Sequence, residues 1–192
     1  MEDLSSGLGD RGCYHDKDMT AHDELAFLST SGFSVAYRND SSRVVRCLTH
    51  NSVDVRLAAV KCYAFKPDST MIASLIGTLA QHESWKSSGI YPASKLIAPH
   101  VTESHWEDLA NAFPSMAQRN ETGYQLLCQN CQSTKLADSL ENRLFDSTSD
   151  ESTCHLAIKS LTAVNGLNQS SLWNKCLEHR FPVVVQLSLI HI

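Results

Sequence analysis

Nowhere in the 192 residues do three lysines or arginines stand together, and the longest apolar segments, "MIASLIGTLA" and "FPVVVQLSLI", run to about ten residues. A helix that crosses a bilayer needs roughly 20 apolar residues, so both segments read as core and not as membrane spans. Sixteen basic residues against twenty-one acidic ones leave a net charge of −5. No basic field exists to draw in nucleic acid irrespective of sequence, which excludes it as a partner on charge. Alternation of apolar and polar residues over a strand length is also missing; only "VVVQ" after Pro182 is β-prone. The opening "MEDLSSGLGDRGC" has neither a positive segment nor an apolar one, so it is not a signal peptide.

Catalytic signatures are equally scarce. There is no GxSxG elbow to expose a nucleophile, and the glycines of "GLGDRG", Gly7 to Gly12, follow no strand and cannot form a phosphate cradle. His105, Glu107 and Asp108 in "SHWED", and Glu178 and His179 in "CLEHR", carry the right groups for acid–base work. Adjacent helical residues point to different faces, so these read as solvated helix surface. No enzymatic activity and no cofactor are expected.

What the sequence does contain is helix after helix. It is 42% hydrophobic and 19% charged, enough for one core or a short stacked array. Residues 1–42 are polar, interrupted by glycines and expected to be irregular, with "DELAFLS" (Asp23 to Ser29) as a turn or two of helix. From Arg43 the pattern becomes regular. "SVDVRLAAVKCYAF" (Ser52 to Phe65) is apolar around most of its circumference and stops before Pro67. "DSTMIASLIGTLAQH" restarts at Asp68 or Ser69 and sets Ile72, Leu75, Ile76 and Leu79 at i, i+3, i+4, i+7. The tight connection makes an antiparallel pair the expectation. Pro92 and Pro99 bracket the short segment "PASKLIAP". Ser104 and Glu107 have capping-box spacing ahead of the stripe Trp106, Leu109, Ala110, Phe113, which Pro114 ends. Tyr124, Leu127, Cys128 and Cys131 form the next stripe, continuing through Leu136, Leu140 and Leu144. After the polar break "DSTSDEST" come "CHLAIKSLTAV" and "SSLWNKCLEHRF", separated by Gly166 as a C-cap.

Seven cysteines are an odd number at irregular spacing, which fits reduced, buried thiols at least as well as a disulfide framework. Three sequons, at Asn39, Asn120 and Asn168, are glycan acceptors only if the chain is secreted. Cys128 and Cys131, with Cys176 and His179 and with Cys154-His155 nearby in sequence, have zinc-ligand spacings. Against zinc, Cys128 and Cys131 lie on an apolar helical stripe, and "LLCQNCQS" has no Gly or Pro to make a knuckle.

"HNSVDVRLAAVKCYAF" followed by "KPDSTMIASLIGTLAQH" resembles a HEAT-type repeat. Members of that family carry a Val-Arg pair, here Val55-Arg56, then small residues, here Ala58-Ala59, then a tight turn and a second amphipathic helix. The match covers about thirty residues of the 192; the other helices fit the architecture without repeating the motif. The resemblance implies an all-α, HEAT-like superhelix over residues 43–186. It also implies a structural role for Asp54 and Arg56 between units, and a non-enzymatic cytoplasmic or nuclear scaffold that binds a protein partner. The alternative is a piece of the helical domain of a secreted, vitellogenin-like lipid-transfer protein, which also contains Val-Arg-x-Ala-Ala helices. The last six residues, "LSLIHI" (187–192), resemble the translation of a transposase end used in sequencing libraries. They are expected to be a non-native tail, with the natural chain continuing elsewhere.

Overall fold

The computed structural model of the chain describes residues 20–29, 41–65, 69–164 and 170–191. Among these the protein is all-α, with no strand. Twelve α-helices follow one another: α1 (Ala21–Ser29), α2 (Ser41–Cys47), α3 (Val53–Phe65), α4 (Ser69–Gln81), α5 (Ser87–Ile97), α6 (Trp106–Ala112), α7 (Ser115–Arg119), α8 (Glu121–Cys131), α9 (Thr134–Phe145), α10 (Glu151–Ala163), α11 (Ser170–Cys176) and α12 (Pro182–His191). Two 3-10 turns, Ala98–His100 and Glu103–His105, join α5 to α6. None of the described helices is long and apolar enough to cross a membrane.

Packing alternates along the chain. α1 packs on α3, α3 on α5, α5 on α8, α8 on α10 and α10 on α12, which makes one row. α4 packs on α6 and α7, and α6 on α9, which makes a second. The rows meet most closely where α9 lies against α10, and also through α2 on α3, α7 on α8 and α11 on α12. First-row helices after α1 start at Val53, Ser87, Glu121, Glu151 and Pro182, at intervals of 34, 34, 30 and 31 residues.

The same interval orders the core. Counted from those starts, the fourth, seventh, eighth and eleventh residues of α3, α5, α8 and α10 are buried in all four helices. This is the i, i+3, i+4, i+7 stripe of a helix that buries one face. The seventh residues are Ala59, Ala93, Leu127 and Ala157; the eleventh are Tyr63, Ile97, Cys131 and Leu161. Small residues set the helix separation. A Cβ on Gly89 would sit 3.3 Å from Val53, and one on Gly123 would sit 3.0 Å from the Ser94 hydroxyl and 3.2 Å from Ile90.

Several expectations hold at residue level. Ile72, Leu75, Ile76 and Leu79 are all buried on α4, and Leu136, Leu140 and Leu144 on α9. The turn or two of helix expected over Asp23 to Ser29 is α1, whose Leu28 is fully buried and whose Glu24 pairs with Arg43 at 3.0 Å. Others need correction. α3 and α4 touch, but each packs chiefly within its own row. α5 begins at Ser87 and carries Pro92 in its interior, so that proline is not a boundary. The box ahead of α6 is formed by Thr102 and His105, because the Thr102 N–H donates to His105 Nδ1 at 3.0 Å, and not by Ser104 and Glu107. The stripe from Tyr124 does not run on to Leu144: Gln132 adopts φ 46°, ψ 33°, a left-handed cap, and α9 starts afresh two residues later. "VVVQ" is helical, with Pro182 at the first position of α12, where its missing N–H costs no helical bond. α12 includes residues 187–191, and among its described side chains Val184 and Ser188 are buried. Cys13, Asn39, Pro67, Asp68, Gly166, Asn168 and Ile192 lie outside the described residues.

Candidate partner-binding face

The residues that carry the repeat resemblance occupy distinct places. Val55 and Ala59 are fully buried, Ala58 is half-buried at the edge of the row, and Asp54 is exposed and forms no ion pair among the described residues. Arg56 is 5% exposed. Its Nη1 donates to the His50 carbonyl at 2.6 Å and to the Asn51 carbonyl at 2.8 Å, and its guanidinium lies over the Trp85 ring, 5.1 Å from the centroid. Desolvation lowers its pKa from the usual arginine value. The positive charge thus meets carbonyl dipoles and a ring face instead of Asp54. Because Trp85 stands just ahead of α5, the contact ties α3 to the next first-row helix.

Arginine recurs in this role. Arg119, the last residue of α7, donates to the carbonyls of His82 at 3.1 Å, Trp85 at 2.6 Å and Ala80, the end of α4. Arg180 donates to the carbonyls of Asp146 at 2.9 Å and Ser149 at 2.5 Å, the turn between α9 and α10. Helix C-termini leave carbonyls without helical partners and carry partial negative charge, so a guanidinium fork both satisfies and neutralises them.

The histidines expected on solvated surface are instead part of the joints. His105 is 2% exposed; its Nδ1 accepts the Thr102 N–H, so its Nε2 carries the proton and lies 3.2 Å from the Ser69 carbonyl at the start of α4. His179 is half-buried, with Nδ1 accepting the Phe181 N–H at 3.1 Å and Nε2 2.9 Å from the Leu144 carbonyl. Neither faces Glu107, Asp108 or Glu178 in a hydrogen bond among the described contacts. Their ring nitrogens meet backbone groups, and those of His105 also lie near the Ser69 and Thr102 hydroxyls, at 3.2 and 3.1 Å.

The six described cysteines, Cys47, Cys62, Cys128, Cys131, Cys154 and Cys176, are free and buried. Burial pushes Cys47 up to about 12 and Cys62, Cys131 and Cys176 up to about 11, and it raises Cys128 and Cys154. Cys128 and Cys131 sit inside α8 beside Tyr124, whose hydroxyl donates to the Leu109 carbonyl at 2.8 Å. Cys176 and His179 belong to the far end of the array. No group of three or more metal-ligating side chains comes together among the described residues.

The outer side of the first row is one exposed face. The second, fifth and ninth residues of α3, α5, α8 and α10 are exposed or half-buried throughout. The ninth residues are Lys61, Lys95, Gln129 and Lys159, and the fifth are Leu57, Tyr91, Gln125 and His155. Reading motif by motif misses this ladder. The signal that finds it is the recurrence of Ala-x-Lys at 59–61, 93–95 and 157–159. On the second row, a shallow groove between the α2–α3 turn and α4 is lined by Thr49, Ser74, Gly77, Thr78, Gln81 and His82.

No model of a known protein family matches the chain, and no curated protein and no solved structure matches it.

Proposed function

We propose that the chain is a HEAT-like array of stacked helix pairs and acts as a non-enzymatic scaffold that binds a protein partner along its first row. The observation that carries this reading is the shared register of four successive first-row helices. The same four positions face inward in each, so the same three positions form one continuous outer surface. Stacked repeats bury a common core and present extended surfaces of this kind. The groups that would otherwise serve chemistry are occupied: arginines and histidines at helix joints, thiols in the core. Six free, buried thiols fit a reducing compartment, the cytoplasm or nucleus. The described grooves, lined by side chains such as Thr49, Thr78 and Gln81, favour a peptide over a lipid as occupant.

The test is selection of a random peptide display library on the purified chain. Enriched sequences should bind in titration calorimetry, and replacing the fifth-position side chains by alanine should weaken them. Failure to enrich any sequence refutes the scaffold reading.

A further inference from the structure

We infer that the outer face of the first row takes an extended acidic segment in which every third residue is Asp or Glu. The inference rests on the scaffold reading and names the partner's chemistry. Lys61 and Lys95 stand at the same position of neighbouring helices, both are exposed, and neither forms an ion pair among the described residues. No acidic residue occupies the second, fifth or ninth position of α5, α8 or α10. Asp54, at the second position of α3, lies two helical turns from Lys61. At the far end of the ladder Lys159 reaches Glu121 at 3.1 Å, and Gln129 lies between it and Lys95 in the series. The middle of the face is therefore positive within a protein whose net charge is −5.

The spacing chooses the occupant. Packed helix axes lie about 8–10 Å apart. A polyproline II segment repeats every three residues and rises about 3.1 Å per residue, so side chains three apart project from one edge at about 9 Å. One carboxylate per helix then meets Lys61 and Lys95 in turn. Tyr91 is 40% exposed, with the Lys95 ammonium 5.9 Å from its ring centroid, and offers an aromatic surface for the residues between the acids. The lysines also suit the C-terminal halves of their helices. That role affects helix stability and leaves peptide affinity unmoved, so binding separates the two.

The experiment uses fluorescence polarisation of labelled twelve-residue peptides against the full chain. The probe is Glu-Pro-Pro repeated four times; the comparators are a peptide of the same composition with its four glutamates clustered at one end, and a twelve-nucleotide oligo-dT. The spaced peptide should bind best. Replacing each lysine should weaken it about two- to five-fold, as for an exposed ion pair, and the double variant Lys61→Glu/Lys95→Glu about ten-fold or more. Lys135→Gln, on the second row, should leave binding unchanged, with circular dichroism confirming that every variant is folded. Equal binding of the clustered peptide or of oligo-dT overturns the proposal, as does indifference to the double variant or an absence of binding to any probe. Peptides selected by display that bind regardless of Lys61 and Lys95 also overturn it, and they leave the scaffold reading standing.

Discussion

Arg56→Met removes a buried charge that has no carboxylate partner, and two effects of opposite sign follow. The Met side chain fills most of the same volume but donates nothing to the His50 and Asn51 carbonyls. Losing two hydrogen bonds from a charged donor costs roughly 1.5–3 kcal/mol each. Losing the guanidinium from the Trp85 face costs about 1 kcal/mol more at a desolvated site. In the other direction, Arg56 Nε is buried without a hydrogen-bond partner, and abolishing an unmet polar group returns roughly 1–3 kcal/mol. The losses dominate, and the net destabilisation is about 3 kcal/mol. For a chain of this size that lowers Tm by roughly 6–12 °C, since 1 kcal/mol corresponds to about 2–4 °C. Urea unfolding followed by far-UV circular dichroism measures it. A double-mutant cycle with Trp85→Leu should show coupling of about 0.5–2 kcal/mol. An Arg56→Met variant whose stability stays within about 0.5 kcal/mol of the parent, the usual range for a substitution outside any such network, refutes the account of Arg56 as the tie between α3 and the α5 side of the joint.

Other expectations follow from the same contacts. Gln132→Gly should stabilise the protein by about 0.5–1 kcal/mol, because relief of a left-handed residue outweighs the entropy glycine adds to the unfolded chain; a loss of stability in urea would refute the cap. Gly123→Ala should destabilise by roughly 1–3 kcal/mol, since the new methyl meets Ser94 and Asn120 oxygens at 3.0 Å; a neutral result in the same assay would mean α5 and α8 lie farther apart. Cys62, Cys131 and Cys176 titrate near 11 when folded against 9.0 when free, so above pH 9 the unfolded state binds fewer protons and stability falls as pH rises. At pH 10 the loss is about 1 kcal/mol per thiol. Equal urea midpoints at pH 8 and pH 10 would refute the burial of these thiols.

The parts of the fold legible in the sequence are those fixed by local periodicity. The stripe of α4, the burial of Val55 and Ala59, and the all-α class follow from apolar residues recurring with the helical period. What stayed hidden was decided by single backbone positions or by distant partners. Gln132 breaks α8 from α9 with no glycine or proline to announce it, because the left-handed region is open to any residue at a cost of about 1–2 kcal/mol that tertiary packing supplies. His105 and His179 look like surface residues in any local window. They are drawn inward because Ser69 and Leu144, 36 and 35 residues earlier, present carbonyls to them.

That separation is itself the most informative quantity in the structure. His105 reaches back 36 residues to Ser69, Ser115 35 to Ala80, Arg119 34 to Trp85, Lys175 34 to Glu141 and Arg180 34 to Asp146. Each bond joins one helix pair to the pair before it, and the distance along the chain is close to the 34-residue spacing of the first-row helix starts at Val53, Ser87 and Glu121 and a few residues longer than the later intervals of 30 and 31. Side-chain identity hardly repeats at these positions, since a carbonyl accepts from arginine, serine or histidine alike. Inward positions four, seven, eight and eleven accept Ala, Ser, Cys, Val, Ile, Leu, Tyr or Arg, as long as the row stays close-packed. The outer ninth position carries a charged residue, lysine, in three of the four helices, although packing places no demand on it there. A side chain free to vary that nonetheless repeats its charge is the reason the search for a partner begins at Lys61 and Lys95 rather than in the core.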